Sequence, residues 1–245
     1  MKPLKRQGIY LIAYCLLLLV FALSIAAFKR NLIWRDEFFL WQDTVIKSPN
    51  KSRPFNSLGV VYAKQGLYDD AIKHFKIAIK NGSGLQEVHH YNLALAYLDK
   101  GLVEDAILEF QAAVRLKPNY SDAHYRLGVV YKDTGVFEKA ESAFKQAAVY
   151  APDRDDFHTA LGNIYLLQRR YNLAAEEYSR ALQLNPGNVE SLYNLAISYD
   201  EMKMWRDAIR YYRDFMRAAP REYQTAIENA NQRQRELSKK ALSTE

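Results

Sequence analysis

An internal repeat of 34 residues constrains the fold of this chain more than any other feature. Prolines recur at this spacing at Pro118, Pro152, Pro186 and Pro220. Alanines recur at the same spacing at Ala106, Ala140, Ala174 and Ala208. The period defines five units, which are 52–86, 87–120, 121–154, 155–188 and 189–222. A period of this length is typical of a stacked array in which each unit packs mainly on its neighbours.

Each unit has the pattern of two helices joined by a tight turn. In unit 121–154, apolar and small residues recur every three to four positions on both sides of Asp133-Thr134-Gly135. Gly135 can adopt the left-handed conformation that ends a first helix, and Pro152 cannot continue a second one. The small side chains of Gly128 and Ala140 predict that the two helices cross closely at these positions.

These residues resemble the tetratricopeptide repeat (TPR), whose pattern is Leu-Gly-x-x-Tyr in the first helix, then alanine, an aromatic residue, alanine and proline. The segments at 56–62 (Asn-Ser-Leu-Gly-Val-Val-Tyr) and 125–131 (Tyr-Arg-Leu-Gly-Val-Val-Tyr) carry the resemblance most closely. It covers residues 52–222 and implies an all-α fold, an α-solenoid of five helix-turn-helix repeats. Ala94 and Ala196 depart from the pattern because they replace the first-helix glycine.

Two further helices are expected to cap the repeats. Upstream, residues 32–51 form a juxtamembrane amphipathic segment, whose apolar face consists of Trp34, Phe38, Trp41 and Val45. Downstream, residues 223–245 contain a mostly polar helix and a tail. The thin apolar stripe of that helix consists of Ala226, Ile227 and Ala230. We expect each helix to close one end of the array.

A run of 20 uncharged residues, 9–28, predicts a membrane helix near the N-terminus. At 1.5 Å per residue its length matches a hydrocarbon core of about 30 Å. Residues 1–31 are therefore expected to form a short cytoplasmic tail and a signal-anchor helix. A cleaved signal peptide is the alternative, since the segment 1–7 is basic and Ala22-Leu23-Ser24 has the small residues of a cleavage site.

The orientation of this anchor follows weakly from its flanking charges. Three basic residues lie on each side of the apolar run, and the free amino group favours a cytoplasmic N-terminus. We therefore expect a single-pass membrane protein whose repeat array is extracytoplasmic, in a bacterial cell the periplasm.

The charge distribution argues against a nucleic-acid partner. The net charge of +6 is carried entirely by the first 35 residues, and the other 210 contain 28 basic and 28 acidic side chains. The repeats therefore lack the overall positive field that a phosphate backbone needs. The single cysteine, Cys15, cannot form an internal disulfide.

No catalytic, cofactor or metal site is predicted. The sequence contains no nucleophile elbow, phosphate-binding loop, zinc-protease motif or glycine-rich dinucleotide turn, so we expect a protein that is not an enzyme. His90, His124 and His158 share the 34-residue step, but neighbouring helices stand about 8–10 Å apart, too far for one metal ion to bridge them. We interpret these histidines as packing residues.

The first helices are the predicted binding surface, because in this family they line a concave groove. The groove residues implied by the resemblance are Asn56, Val60, Lys64, Tyr91, Asn92, Leu95, Leu98, Tyr125, Arg126, Val129, Lys132, Asn163, Tyr193 and Asn194. A tyrosine-rich apolar floor edged by amides and bases suits a protein or peptide.

The ends of this groove differ in charge. Asp156, Glu190, Asp200 and Glu201 make its C-terminal part acidic, so a partner there should be basic or polar. Val60 and Leu95 replace the asparagines with which chaperone-binding (Hsp-type) members of the family clamp a terminal carboxylate. We therefore expect no such clamp.

Two functions fit these features. The first is a membrane-anchored scaffold that recruits a protein partner to a cell-envelope complex. The second is an accessory subunit of an envelope polysaccharide or glycosyltransferase machine, docked through its membrane helix. The second rests on residues 40–50, which are similar to the junction before the repeats in bacterial membrane proteins of the lipid-linked-sugar glycosyltransferase type.

Overall fold

The computed structural model describes residues 14, 16–25, 28, 36–82 and 84–243, with side chains as far as residue 241. All regular structure in these residues is helical. No helix among the described residues has the length and apolar character needed to cross a membrane. Part of the predicted membrane segment, including Cys15, and the whole of 1–13 lie outside the described residues.

The chain divides by its contacts into two compact units, residues 1–102 and 103–245. The helices of the first unit are α1 (Glu37–Lys47), α2 (Ser52–Lys64), α3 (Tyr68–Asn81) and α4 (Gln86–Asp99). Those of the second are α5 (Val103–Leu116), α6 (Ser121–Asp133), α7 (Phe137–Tyr150), α8 (Asp155–Leu167), α9 (Tyr171–Leu184), α10 (Val189–Glu201), α11 (Trp205–Ala218) and α12 (Gln224–Ser243). A short 3-10 turn, Arg221–Tyr223, precedes α12.

Successive helices form antiparallel hairpins at the predicted period. The pairs α2–α3, α6–α7, α8–α9 and α10–α11 each pack along their length, and α8 also contacts α10. The first helices are α2, α4, α6, α8 and α10, and the helices that follow them are the second helices. The all-α repeat architecture predicted from the sequence is therefore observed.

The close helix crossing predicted at Gly128 is confirmed. A Cβ atom at this position would lie 2.6 Å from the ring of Phe144, which is shorter than real contacts allow. The same relation holds in two other hairpins, where a Cβ at Gly59 would lie 2.7 Å from Phe75 and one at Gly162 would lie 2.7 Å from Tyr178. Glycine and a buried ring thus fix how closely these helices approach.

The turn inside each hairpin ends its first helix in the left-handed conformation. Gly135 has φ of 76° there, which glycine adopts without strain. In the next two hairpins the equivalent residues are Arg169 and Lys203, with φ of 59° and 60°. A side chain in this region costs free energy, so the hairpin geometry overrides local preference at these two turns.

The N-terminal helix α1 docks on α2 as expected. The ring of Phe38 meets that of Tyr62 edge-on, with 5.5 Å between centroids. Lys64 Nζ lies 3.3 Å from Glu37 Oε2, although both side chains are more than half exposed. No residue of α1 is fully buried, and Trp34 lies outside the described residues.

The C-terminal helix α12 packs on α11 and completes a core. Ala230 and Leu237 are fully buried in a cluster with Ala196, Tyr212 and Phe215. The predicted stripe residues Ala226 and Ile227 are partly buried against the same cluster. Arg233 on α12 adds two bonds from its guanidinium to Asp200, with N–O distances of 2.6 and 3.1 Å.

Candidate functional site

The predicted groove residues lie on the first helices, and eight of the fourteen border one of two cavities, one in each unit. The cavity of the first unit, here called the Val60 patch, has a volume of about 290 Å³. It is lined by Val60, Ala63, Lys64, Phe75, Asn92, Leu95, Ala96 and Asp99. The cavity of the second unit, here called the Asn163 pocket, has a volume of about 310 Å³. It is lined by Tyr125, Val129, Lys132, Phe144, Asp156, Thr159, Ala160, Asn163, Asn188 and Glu190.

The Val60 patch has an apolar floor, and two of its three polar lining residues, Lys64 and Asn92, are paired. Asn92 Nδ2 donates a hydrogen bond of 3.0 Å to Asn56 Oδ1, which links α4 to α2. Lys64 faces Glu37 of α1. The floor itself consists of Val60, Phe75 and Leu95. This patch therefore offers a ligand mainly apolar contacts.

Asn163 organises the second cavity. Its Oδ1 accepts hydrogen bonds from the Tyr178 hydroxyl at 2.7 Å and from Asn194 Nδ2 at 2.9 Å. Its Nδ2 donates to Glu190 Oε1 at 2.8 Å. An asparagine side chain can make about four hydrogen bonds, so the described contacts leave one amide N–H for a ligand. Asn163 occupies the repeat position that Val60, Leu95 and Val129 hold in the earlier repeats. An amide therefore replaces an apolar side chain at this position in the fourth repeat.

The hydroxyl of Tyr178 holds the side-chain amide of Asn163 in place. Tyr178 is fully buried, and burial raises the pKa of its hydroxyl well above the usual value. The hydroxyl therefore stays protonated and can donate to Asn163. Because Tyr178 also packs against Gly162 of the same first helix, the amide is fixed by a rigid ring.

Two carboxylates give the pocket its negative charge. Glu190 is exposed and bonded to the neutral Asn163 amide, whereas Asp156 receives two bonds from Arg154, at 2.8 and 2.7 Å. Burial raises the pKa of the Tyr125 hydroxyl, and the charges of Asp156 and Glu190 raise it further. Both acids thus act on the Tyr125 hydroxyl, and Lys132 of the same helix also lines the pocket.

The second cavity also has apolar walls. The ring of Tyr125 stacks on Phe157 with 5.0 Å between centroids, and it lies 5.6 Å from Phe144. Tyr125 is therefore half-packed into the core, and only part of its ring borders the pocket. Val129, on the next turn of α6, is partly exposed beside it.

Several predicted residues lie away from the lining of both cavities. Tyr91 and Leu98 on α4 are half-buried, and Arg126 on α6 is exposed. Tyr193 packs in the C-terminal core, with its ring centroid 4.8 Å from that of Phe215. Asn194 contributes through its bond to Asn163.

Part of the lining of the Asn163 pocket was not predicted from the sequence. Phe144 lies on a second helix and reaches the pocket between first helices. Asn188 caps α10, where its side chain accepts a hydrogen bond of 2.9 Å from the backbone N–H of Ser191. An asparagine directly before an apolar periodic segment is a recognisable N-cap signal, so this residue could have been found. Thr159 lies beside it, 3.1 Å from Asn188 Nδ2.

The acidic surface is smaller than predicted. Asp156 and Glu190 line the pocket, but Asp200 is bound by Arg233 and its side chain is only 10% exposed. The sequence did not reveal this ion pair because its partners lie in different helices, 33 residues apart.

The repeated histidines have individual partners. His158 is buried, and its Nδ1 lies 2.7 Å from Glu177 Oε2. His124 instead bonds the Pro118 carbonyl oxygen through Nε2 at 2.8 Å and stacks near Tyr150. In the parts of the chain that the structure describes, no three His, Cys, Asp or Glu residues are grouped to hold a metal ion.

The stacked hairpins define an α-helical repeat protein with cavities between its first helices. The family model of the tetratricopeptide repeat matches residues 56–121, 91–141 and 125–189. A second model with the same description matches residues 165–229. These matches cover more than half of the chain, which therefore belongs to the tetratricopeptide repeat family. The resemblance predicted from its motifs is confirmed.

Solved structures share this fold. MamA matches with a TM-score of 0.63 and 21% identity, over 71% of this chain and 93% of MamA. YrrB, described as a TPR protein with an unusual peptide-binding site, matches with a TM-score of 0.66 and 15% identity, over 78% of this chain and 97% of YrrB. The C-terminal part of a TPR protein from Cytophaga hutchinsonii matches with a TM-score of 0.70 and 19% identity, over 86% and 84%. At these identities the likeness concerns the fold.

One protein with a similar sequence is a much longer enzyme. Protein O-mannosyl-transferase Tmtc2 of Drosophila melanogaster is 32% identical over 85 residues. The match spans 35% of this chain and 9% of the length of Tmtc2.

Proposed function

We propose that this protein is a membrane-anchored TPR scaffold that binds a protein or peptide partner on its first helices and serves in the assembly of a cell-envelope complex. The Asn163 pocket carries this proposal. It combines an amide N–H left for a ligand, an apolar wall and two carboxylates within one cavity of about 310 Å³. A peptide offers a matching carbonyl oxygen, apolar side chains and basic side chains.

The pocket chemistry favours an extended peptide with a basic side chain. Asn163 would donate to a backbone carbonyl, while Val129 and the free edge of Tyr125 would contact an apolar side chain. Glu190 would attract a lysine or arginine, because its own described partner is a neutral amide. Lys132, which also lines the pocket, disfavours a second cation close by.

Membrane anchoring through residues 9–28 is part of the proposal. Residues 16–25 are helical, and eight large apolar side chains among them are 42–68% exposed. These side chains are Leu16, Leu17, Leu18, Leu19, Val20, Phe21 and Leu23, with Ile25 at the lower limit. Side chains of this kind are favoured in lipid. With the N-terminus in the cytoplasm, the repeats would be extracytoplasmic.

The scaffold is proposed to act without catalysis. The pocket offers amides, carboxylates and tyrosines, but it contains no nucleophile paired with a base, which an active site requires. Binding and positioning of a partner is the activity that these groups support.

The second candidate is an accessory, non-catalytic subunit of an envelope glycosyltransferase machine. The partial match to an O-mannosyl-transferase favours it, together with the similarity of residues 40–50 to the junctions in such membrane proteins. In this case the membrane helix, rather than the repeats, would hold the partner.

Photo-crosslinking in native membranes distinguishes the two functions. A photoreactive residue is placed at Leu95 in the Val60 patch, at Val129 in the Asn163 pocket, or at Leu19 in the apolar segment. Leu108 on α5, which is 60% exposed and borders neither cavity, is the control position. Adducts from Leu95 or Val129 to one protein, absent from Leu108, support the scaffold. Adducts from Leu19 alone, to a multi-spanning protein, would reject it in favour of the accessory subunit.

A conservative variant tests the pocket itself. Glu190→Gln keeps an oxygen that can accept from Asn163 but removes the charge. We expect it to weaken capture of the partner at Val129 several-fold, with an unchanged unfolding midpoint. Unchanged capture would show that Glu190 does not contact the partner.

A further inference from the structure

Helix α11 carries a straight row of arginines on its outer surface. The four residues Arg206, Arg210, Arg213 and Arg217 are all exposed. Their spacing of four, three and four places them within a stripe about 60° wide and about 16 Å long, at 1.5 Å and 100° per residue. The opposite face of α11 buries Ala208, Tyr212 and Phe215.

Two charges of this row are turned toward solvent. The side chains of Arg210 and Arg217 are 58% and 74% exposed. Their nearest carboxylates, Asp207 and Asp214, are at the long distances of 3.8 and 3.7 Å. Ion pairs of this length and exposure contribute little. Arg210 also lies over the ring of Tyr211, 4.5 Å from its centroid, which limits its freedom.

The repeat fold does not require this row. At the corresponding positions α9 has Asn172, Glu176, Ser179 and Gln183. α7 has Glu138, Ser142, Lys145 and Val149. Both helices form the same hairpin with the same buried face. The arginines of α11 are therefore a local feature of the fifth repeat, and helix packing does not explain them.

We propose that the arginine row of α11 binds an acidic helical segment of a partner protein. A helix that presents carboxylates at i, i+4, i+7 and i+11 has the same rise between charges as the row, so four pairs can form at once. Asp207 and Asp214 lie along one border of the stripe. A facing helix about 10 Å wide avoids them, whereas a nucleic acid duplex or a bilayer brings phosphates against both.

This surface is separate from the Asn163 pocket, whose lining residues lie on α6, α7, α8 and the start of α10. The inference therefore goes beyond the proposed peptide binding, and either can fail without the other. A partner that binds both the arginine row and the Asn163 pocket would bind with higher overall affinity, because the first contact raises the local concentration for the second.

The test uses the full chain and two synthetic helical peptides of identical composition. One peptide carries glutamates at i, i+4, i+7 and i+11, and the other has them permuted around the helix. We expect the matched peptide to bind about 10-fold more tightly, with affinity that falls as salt rises. Arg210→Glu with Arg213→Glu should abolish this preference. Replacing both arginines with lysine should retain most of the affinity.

A charge-matched control separates the row from net charge. Lys73→Glu with Lys80→Glu changes two exposed cations of α3 by the same amount and should leave the preference intact. Equal binding of the two peptides would overturn the proposal, as would unchanged binding by the arginine variants at an unchanged unfolding midpoint. Tighter, row-dependent binding to phosphatidylglycerol vesicles or to a DNA duplex would also overturn it, in favour of that ligand.

Discussion

The capping helices at the two ends of the repeats differ in how their composition relates to their burial. α1 is rich in aromatic residues, including Trp41 and Phe38, yet none of its residues is fully buried. α12 is mostly polar, yet it buries Ala230 and Leu237 completely and holds Asp200 with Arg233. In these two helices, burial therefore follows the shape of the neighbouring helix pair more than the apolar content of the capping helix itself.

The largest effect is expected at the C-terminal end. Leu237→Ala removes a fully buried side chain from the cluster around Tyr212 and Phe215, so the free energy of unfolding should fall by about 3 kcal/mol. Urea unfolding followed by circular dichroism measures the change. If the variant lost less than the α1 variant below, α12 would be a dispensable cap.

Loss of the Arg233–Asp200 ion pair should be the next largest effect. Arg233→Gln leaves the mostly buried carboxylate of Asp200 without its two-bond partner. We expect a loss of about 2 kcal/mol, less than for a fully buried pair because Arg233 is 39% exposed. Asp200→Asn in the same background should recover part of this loss in a double-mutant cycle.

Removal of the main aromatic contact of α1 should have a smaller effect. Phe38→Ala deletes the edge-on contact with Tyr62 from a half-buried site, and we expect a loss of about 1 kcal/mol. The same urea titration applies. Phe39→Ala, at a neighbouring and more exposed ring, serves as the control. Equal losses in the two variants would mean that α1 has no preferred docking face.

Acid should weaken the junction between the fourth and fifth repeats through Asp155. Burial alone would raise the pKa of Asp155, but hydrogen bonds from Asn188 and Asn185 outweigh it and hold the pKa below its ordinary value. Its carboxylate stabilises the fold at pH values above about 3.9, the pKa of aspartate in the unfolded chain. This contribution disappears as the pH falls through the lower pKa that Asp155 has in the folded state. Thermal unfolding between pH 5 and 2 should therefore shift less in Asp155→Asn than in the wild type.

The smallest effect is expected for the ion pair between α1 and α2. Lys64 and Glu37 are both mostly exposed, so Lys64→Met should change the free energy of unfolding by no more than about 0.5 kcal/mol. A larger loss, removed by salt in the wild type, would show that this pair carries the docking of α1.

The sequence predicted the helical pairs and their crossing points because these depend on local periodicity and on side-chain size. Gly128 against Phe144 is one example. The apolar stripe of α12 was predicted at Ala226, Ile227 and Ala230, but it continues to Leu237, at i+11 from Ala226, which an extension of the same spacing would have found.

The binding surface was less predictable, because the role of a first-helix side chain depends on the next helix. Val60, Leu95, Val129 and Asn163 border cavities, whereas Tyr193 is directed into the C-terminal core. The bonds of Asn163 with Tyr178 and Asn194, and of His158 with Glu177, join residues 15–31 positions apart. Such contacts leave no periodic signal in the sequence.

The glycine–ring contacts also decide which helices of this chain can be exchanged. In the fourth repeat Gly162 admits the ring of Tyr178 at a distance that excludes a Cβ, whereas in the fifth Ala196 packs beside Tyr212. At the helix crossing of the fourth repeat, a chimaera joining α10 to α9 would place the alanine methyl group 2.7 Å from the ring of Tyr178, so the two helices would have to shift. Swapping whole hairpins keeps each pair matched, so the hairpin, rather than the single helix, is the interchangeable module of this protein.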